Sequence, residues 1–149
     1  MKLRASNLLI QKLKEFEGLR LVAYKPTKAE RWYTIGYGHS ADDVRAGMRI
    51  TEEKAEELLN RDLFFVEKFV NGIPKIKTQG QFDALVSFTY NVGIGKLKSS
   101  TLLKKIMHDA STAEIQSEFM RWVYSGGKQL DGLVKRRRWE AERWAVHNS

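Results

Sequence analysis

The hydrophobic period of this sequence changes near its beginning, and that change limits the folds that the chain can adopt. In residues 19–24, Leu19, Leu21 and Ala23 alternate with Arg20, Val22 and Tyr24, and aromatic and β-branched residues follow a polar stretch at 26–30. This pattern is typical of a small antiparallel sheet. Before residue 19 and after residue 51, the apolar residues follow helical spacing instead. The sequence therefore predicts an α+β protein that is mainly helical, with one small sheet near its amino-terminal end.

Capping signals divide the helical part of the chain. The first helix is predicted to run from Ser6, a good N-cap, to Gly18. Thr51 caps a helical run of about 20 residues, which at about 30 Å is long enough to join two lobes. Later helices are predicted at 78–92, from 99 or 100 to 107, at 111–124 and at 133–146. We expect an amino-terminal lobe at about 12–60, a connecting helix at about 52–70, and a carboxy-terminal lobe at about 71–149 with residues 1–11. A cleft between two lobes is a common place for a ligand site.

Composition excludes several classes of protein. The 149 residues contain no cysteine, so neither disulfides nor a thiolate nucleophile is possible. No apolar run approaches the roughly 20 residues that a membrane span needs, and the first 14 residues lack the apolar core of a signal peptide. The formal net charge of +8 predicts attraction to polyanions such as nucleic acid, anionic lipid or wall polymers. The basic run at 135–138 is interpreted as a solvated helix face rather than a polyanion site.

Glu17 is the first candidate catalytic residue. It projects from the apolar stripe of the first predicted helix, near the negative end of the helix dipole. Desolvation and the dipole both favour the protonated carboxyl group, which is the form that a general acid needs. The alternative is a charge at the edge of the stripe, with its carboxylate in water.

Thr34 is the second candidate, in the predicted second strand. If that strand extends back to residue 30, then Glu30, Trp32 and Thr34 share one face. An aromatic ring can stack on a sugar, while a hydroxyl and a carboxylate can hold water or sugar hydroxyls. The alternative is an ordinary half-buried strand.

The histidines do not predict a metal site. His39 has no second histidine or acidic residue at a metal-ligand spacing, and His108 and His147 are remote from it in sequence. We expect His39 to be structural and hydrogen-bonded within the sheet. The glycines before it also lack the pattern of a phosphate-binding loop. The sequence therefore predicts neither a metal ion nor a cofactor.

Several stretches of the sequence resemble the phage-type lysozymes, glycoside hydrolase family 24. They are FEGLRLVAY at 16–24, YTIGYGH at 33–39 and FDALVSFTYNVG at 82–93, followed by shorter matches at 99–102, 122–127 and 132–138. The resemblance implies a lysozyme-like, two-lobe, mainly α fold with a small sheet. It also implies hydrolysis of the β-1,4 bond between N-acetylmuramic acid and N-acetylglucosamine in peptidoglycan.

The resemblance also implies roles for individual residues. Glu17 matches the family's general acid, and Thr34 matches the threonine that helps to position the attacking water. The family's middle catalytic residue, an Asp or sometimes a Cys, falls on Pro26. Proline can neither accept a proton nor hold a water molecule.

Three alternatives follow from Pro26. In the first, Glu30 supplies the second carboxylate, with Asp42 or Asp43 as less favoured substitutes. In the second, Glu17 and Thr34 suffice at a reduced rate. In the third, catalysis is lost and the protein is a wall-binding module on a lysozyme fold.

The remaining expectations concern binding and location. Asn91 matches a polar position that lines the family's cleft, and the ring of Trp32 can stack on a sugar. Both residues are therefore predicted to bind substrate. The family implies a monomer that acts on bacterial peptidoglycan, is made in the host bacterial cytoplasm, and reaches the wall through a holin-type permeabiliser. The net charge would then serve adhesion to an anionic wall, with no nucleic-acid partner.

The alternative from another class is a polyanion binder that acts through residues 135–138 with Trp139 and Trp144.

Overall fold

A computed structural model describes residues 2–146 of the chain. Within these residues it has seven helices and two small antiparallel sheets. The helices are α1 (Asn7–Glu17), α2 (Glu52–Asn71), α3 (Gln79–Val92), α4 (Ile94–Lys98), α5 (Thr101–Met107), α6 (Thr112–Phe119) and α7 (Asp131–Trp144). The strands are β1 (Arg20–Tyr24), β2 (Thr34–Gly36), β3 (His39–Ser40), β4 (Tyr124–Ser125) and β5 (Lys128–Gln129). The mainly helical α+β class predicted from the sequence is confirmed.

The chain forms two compact units, Ile10–Phe64 and Met1–Leu9 with Phe65–Ser149. In the first unit, the strands lie in the order β1-β2-β3, and both strand pairs are antiparallel. The core of this unit consists of Ile35, Val44 and Leu58, so β2 and α2 both contribute to it. The small sheet is therefore held by α2 and by the segment between β3 and α2.

In the second unit, α3 is the central element. Its capping box is formed by Thr78 and Gln81, as the sequence predicted. Phe88 of α3 meets the rings of Phe119 and Trp122 edge-on, with ring centroids 5.6 and 5.2 Å apart. Edge-to-face packing of this kind adds to the stabilisation from apolar burial.

The interpretation of the basic run at 135–138 is only partly correct, because two of its four side chains are buried in α7. Arg137 is fully buried, pairs with the equally buried Glu140, and donates from Nε to the carbonyl of Trp122 at 3.0 Å. Arg136 donates to the carbonyl of Ser87 at 2.9 Å. The prediction of a solvated face is wrong for these two residues, since buried charges need such partners.

Three further elements differ from the sequence predictions. Helix α4 was not predicted, α6 ends at Phe119 instead of near residue 124, and β4 and β5 form a hairpin around Gly126 and Gly127. The two glycines adopt positive φ angles of 57° and 80°, which suit a tight hairpin turn. The predicted turn at these glycines is thus confirmed, while the strands that flank it were missed.

Replacing Gly80 by Ala is expected to destabilise the protein by about 3 kcal/mol. Gly80 is buried in α3, and a Cβ atom there would overlap the backbone carbonyl oxygens of Arg143 and Val146. Because those atoms belong to the backbone, α7 itself must move away from α3. The midpoint of urea unfolding measures the loss.

Gly132→Ala is the matched control, because Gly132 lies in α7 and a Cβ atom added to it would have nothing within 4 Å. Alanine there is expected to leave the midpoint unchanged or to raise it, by up to about 1 kcal/mol. Equal midpoints for Gly80→Ala and the wild type would contradict the close approach of α3 and α7.

Candidate functional site

The side chain of Glu17 lies against the backbone of Gly38, in the turn between β2 and β3. A Cβ atom on Gly38 would lie 2.5 Å from Glu17 Oε1 and 2.9 Å from Glu17 Cδ. Gly38 also has a φ angle of +83°, which other residues rarely adopt. The turn therefore provides a space for the Glu17 carboxyl group that only glycine leaves open.

Thr34 begins β2, on the same small sheet. It pairs with Tyr24 of β1 on one side and with Ser40 of β3 on the other, and its side chain is half-buried. A residue in the central strand is held from both sides, so the backbone that carries its hydroxyl group is well fixed. Glu17 and Thr34 are thus both positioned by the β1-β2-β3 sheet.

Glu30 and Trp32 do not share a strand with Thr34. Strand β1 ends at Tyr24 and β2 begins at Thr34, so both residues lie in the connection at 25–33. Pro26 lacks the backbone N–H that would continue the ladder, which explains why the strands stop here. The condition for a common face of Glu30, Trp32 and Thr34, a strand that extends back to residue 30, is therefore not met.

The connection at 25–33 is exposed to solvent at nearly every residue. Pro26 lies in a bend just after β1, and the Glu30 side chain is exposed, while its backbone N–H donates to the carbonyl of Thr27 at 3.2 Å. The ring of Trp32 lies 4.5 Å from the guanidinium group of Arg31. The structure thus leaves the Glu30 carboxylate on the surface of this connection.

His39 is buried between two carboxylates. Its Nδ1 lies 2.7 Å from Asp62 of α2, and its Nε2 lies 2.9 Å from Asp43, in the segment after β3. The hydrogen bond to Asp62 raises the pKa of His39 against the opposing effect of burial, and the hydrogen bond from His39 lowers the pKa of Asp43.

His39 belongs to β3 and pairs with Ile35 within the sheet, as expected, but its side chain bonds outside the sheet, to Asp62 and Asp43. The sequence contained a signal for the true partner, because Asp62 is the one polar residue in the apolar stripe of α2. Asp43, four residues after His39, was also overlooked as a partner. The bonded triple connects β3 to α2 and so fixes the turn that carries Gly38.

Stability is expected to depend on pH through His39 and Asp43. A raised His39 pKa stabilises the fold fully below its unfolded value of about 6.5, and this contribution disappears as the pH rises through the folded value. The lowered Asp43 pKa stabilises the fold above about 3.8, and this contribution disappears as the pH falls. The contribution of the triple should therefore be largest between about pH 4 and 6.5.

The Asp62→Asn variant tests this expectation. It should lower the free energy of unfolding by about 2 kcal/mol at pH 5 and by less at pH 9, measured by urea unfolding. Asp42→Asn, at an exposed position beside Asp43, is the control and should change little at either pH. A loss for Asp62→Asn that is the same at both pH values would contradict the role of charged His39.

His108 is exposed at the end of α5, and His147 lies outside the described residues. Across residues 2–146, no group of three His, Cys, Asp or Glu side chains could hold a metal ion. None of the helices in that range is long and apolar enough to span a membrane.

Asn91 belongs to the second unit and is exposed near the end of α3. Its side-chain oxygen accepts a hydrogen bond from the buried guanidinium group of Arg137. Asn91 therefore has a structural partner, and its side-chain amide N–H groups are the ones available to a ligand.

Comparisons with known proteins agree with one another. The family model described as phage lysozyme matches residues 14–140. The chain is 52% identical over 135 residues to the endolysin of Bacillus phage B103, which covers 88% of this chain and 50% of that protein. It is 42% identical over 134 residues to the endolysin of Acyrthosiphon pisum secondary endosymbiont phage 1, covering 86% and 88%. The chain thus spans about half the length of the Bacillus phage relative.

Solved structures of a muramidase domain and of a phage endolysin are also similar to this chain. The muramidase domain of SpmX from Asticaccaulis excentricus superposes with a TM-score of 0.84 at 32% identity, covering 96% of this chain and 98% of that one. The endolysin from Escherichia coli O157:H7 phage FAHEc1 gives a TM-score of 0.81 at 35% identity, covering 99% and 98%. Both similarities extend over nearly the whole of each chain.

Proposed function

The chain belongs to the phage lysozyme family, and on that premise we propose that it is a muramidase. The proposed reaction is hydrolysis of the β-1,4 bond between N-acetylmuramic acid and N-acetylglucosamine in peptidoglycan. The observation that carries this proposal is the placement of the Glu17 carboxyl group against Gly38. A carboxyl group fixed at the end of a helix beside a sheet turn can deliver a proton to one defined position.

In the proposed mechanism, Glu17 donates a proton to the glycosidic oxygen as the bond to the anomeric carbon breaks. The leaving sugar departs with its new hydroxyl group, and positive charge develops on the ring that remains. Thr34 accepts a hydrogen bond from the attacking water and so orients its oxygen toward the anomeric carbon. As that oxygen bonds to the anomeric carbon, the water gives its other proton to the second carboxylate, which acts as general base. The support for the role of Thr34 is its position at the start of the central strand.

The second carboxylate is proposed to be Glu30. Glu30 lies on the connection between β1 and β2, which leads directly into Thr34. The same connection contains Pro26, at the position where the family has its catalytic Asp. Asp43 is a weaker choice because its carboxylate is already bonded to His39. Glu30→Gln should lower activity by about a hundredfold if Glu30 is the general base. Wild-type activity in that variant would favour the alternative in which Glu17 and Thr34 suffice.

A second candidate function is a wall-binding module that no longer hydrolyses, and Pro26 is the observation that favours it. The polyanion-binding alternative is weakened, because Arg136 and Arg137 of its basic run are buried and bonded inside the second unit. Synthesis in the bacterial cytoplasm, a holin-type partner and a monomeric state remain proposals that follow from the family.

Digestion of purified, DNA-free peptidoglycan tests the proposed function. We expect soluble muropeptides with a reducing N-acetylmuramic acid end, identified by mass spectrometry and reducing-end analysis. Binding to the wall without release would identify the wall-binding module. Release of products with a reducing N-acetylglucosamine end would contradict the proposed bond. Salt-dependent binding to DNA with no digestion would favour the polyanion binder.

A further inference from the structure

The hairpin formed by β1, β2 and their connection has a concentrated positive charge. Residues 19–34 contain four cations, Arg20, Lys25, Lys28 and Arg31, and one carboxylate, Glu30. All five side chains are exposed. A net charge of +3 on sixteen residues is a large part of the formal +8 of the whole chain. We refer to the four cations together as the hairpin cation surface.

Three of these cations lie over aromatic rings of the same hairpin. The pairs are Arg20 with Tyr24 at 4.7 Å, Lys25 with Tyr33 at 5.0 Å, and Arg31 with Trp32 at 4.5 Å from the ring centroid. A cation held over a ring loses less conformational freedom when it binds a ligand. The rings therefore prearrange the positive charges without neutralising them.

Acidic partners do not neutralise this surface. Among the described residues, none of the four cations forms an ion pair with a carboxylate. Other exposed or half-buried cations do so, such as Lys14 with Glu56 and Lys75 with Asp109. The hairpin cation surface thus keeps its charge for an external anion.

We propose that the hairpin cation surface binds a linear polyol-phosphate polymer of the cell wall, of the teichoic acid type. Such a polymer has one negative phosphodiester per repeat, and the guanidinium groups of Arg20 and Arg31 can each bind two phosphate oxygens. The ring edges of Tyr24 and Trp32 can contact the polyol carbons between phosphates. This inference rests on the proposed function, because action on the wall is what brings the protein to the polymer.

The hairpin cation surface lies next to a proposed catalytic residue. Thr34 directly follows the connection that contains Lys25, Lys28 and Arg31, so a polymer bound there holds the proposed catalytic residue near the wall. A nucleic acid fits less well, because proteins that bind single strands leave aromatic faces open for bases to stack on. Here a cation occupies one face of each ring.

A pair of charge-matched variants tests the proposal. The hairpin variant carries Lys25→Gln, Lys28→Gln and Arg31→Gln, and the control carries Lys104→Gln, Lys128→Gln and Lys135→Gln at exposed positions of the second unit. Each set lowers the formal net charge by three. Glu17→Gln is added to both so that the wall is not digested. Binding to purified walls is measured by cosedimentation, and binding to soluble polyol-phosphate polymer, to DNA and to anionic vesicles by fluorescence anisotropy of the labelled protein.

The hairpin variant is expected to bind walls and polymer about tenfold more weakly than the protein carrying Glu17→Gln alone, and the control less than about twofold more weakly. Walls stripped of the polymer with hydrofluoric acid should bind both variants alike. Equal losses in the two variants would overturn the proposal, because net charge alone would then explain adhesion. A loss confined to DNA or to anionic vesicles would overturn it in favour of those ligands.

Failure of this proposal is distinguishable from failure of the proposed function. Polymer-stripped peptidoglycan remains a substrate for a muramidase, so its digestion by the wild-type chain reports on hydrolysis alone. Digestion with equal binding losses rejects the docking surface and keeps the enzyme. A selective binding loss without digestion keeps the surface and rejects the enzyme.

Discussion

Replacing Glu17 by Gln is expected to slow the release of muropeptides by about 10²- to 10⁴-fold. The amide has nearly the same shape as the carboxyl group, so it fits the same space against Gly38, but it has no acidic proton for the glycosidic oxygen. Binding to the wall and the midpoint of urea unfolding should therefore stay close to those of the wild type. Initial rates of release from purified peptidoglycan measure the effect.

Glu15→Gln is the matched control, two residues earlier in the same helix. Glu15 is exposed and pairs with Lys12 at 3.3 Å, so its loss removes a carboxylate from α1 without reaching the turn at Gly38. Its activity should lie within about twofold of the wild type, because exposed ion pairs contribute little. Equal activity in the Glu17→Gln and Glu15→Gln variants would show that the proton comes from another residue.

Several helix starts were predictable from the sequence because N-capping is local. Ser6 accepts a hydrogen bond from the N–H of Leu9, Thr51 from that of Lys54, and Ser111 from that of Glu114. In each case the donor lies three residues after the acceptor, within reach of sequence reasoning. The start of the long helix and the capping box of α3 were found for the same reason.

Interactions between distant residues were not predictable in this way. His39 bonds Asp62, 23 residues later, and Arg137 bonds the carbonyl of Trp122 and pairs with Glu140 inside the second unit. A basic run looks the same in sequence whether its members face solvent or are buried with partners. The start of β2 at Thr34 is another example, because the sequence pattern left open whether this strand extends back to residue 30.

The candidate site, too, was predictable from local sequence features but not from contacts between distant residues. Glu17 could be selected from its place on an apolar helix face, and its role follows from the family resemblance. The space that holds its carboxyl group was not visible, because it depends on the fold bringing residue 38 back to residue 17. From the sequence, the glycines before His39 could only be said to lack a phosphate-binding pattern, whereas Gly38 lies against the proposed acid itself.

Gly38→Ala is therefore expected to reduce peptidoglycan hydrolysis by at least about a hundredfold. The new methyl group would meet Glu17 Oε1 at 2.5 Å, so the carboxyl group must leave its position. A displacement of about 1 Å is enough for a loss of this size, because proton transfer requires near-ideal geometry. The rate of muropeptide release is measured together with the midpoint of urea unfolding.

Gly47→Ala separates displacement of the acid from strain in the backbone. Gly47 has a φ angle of +78°, close to the +83° of Gly38, so alanine adds a similar strain of about 1–2 kcal/mol at either position. Nothing lies within 4 Å of a Cβ atom on Gly47. The two variants should thus lose similar stability, while only Gly38→Ala loses activity. If both lose activity equally, strain in the first unit explains the effect, and the position of Glu17 against Gly38 is not what the reaction requires.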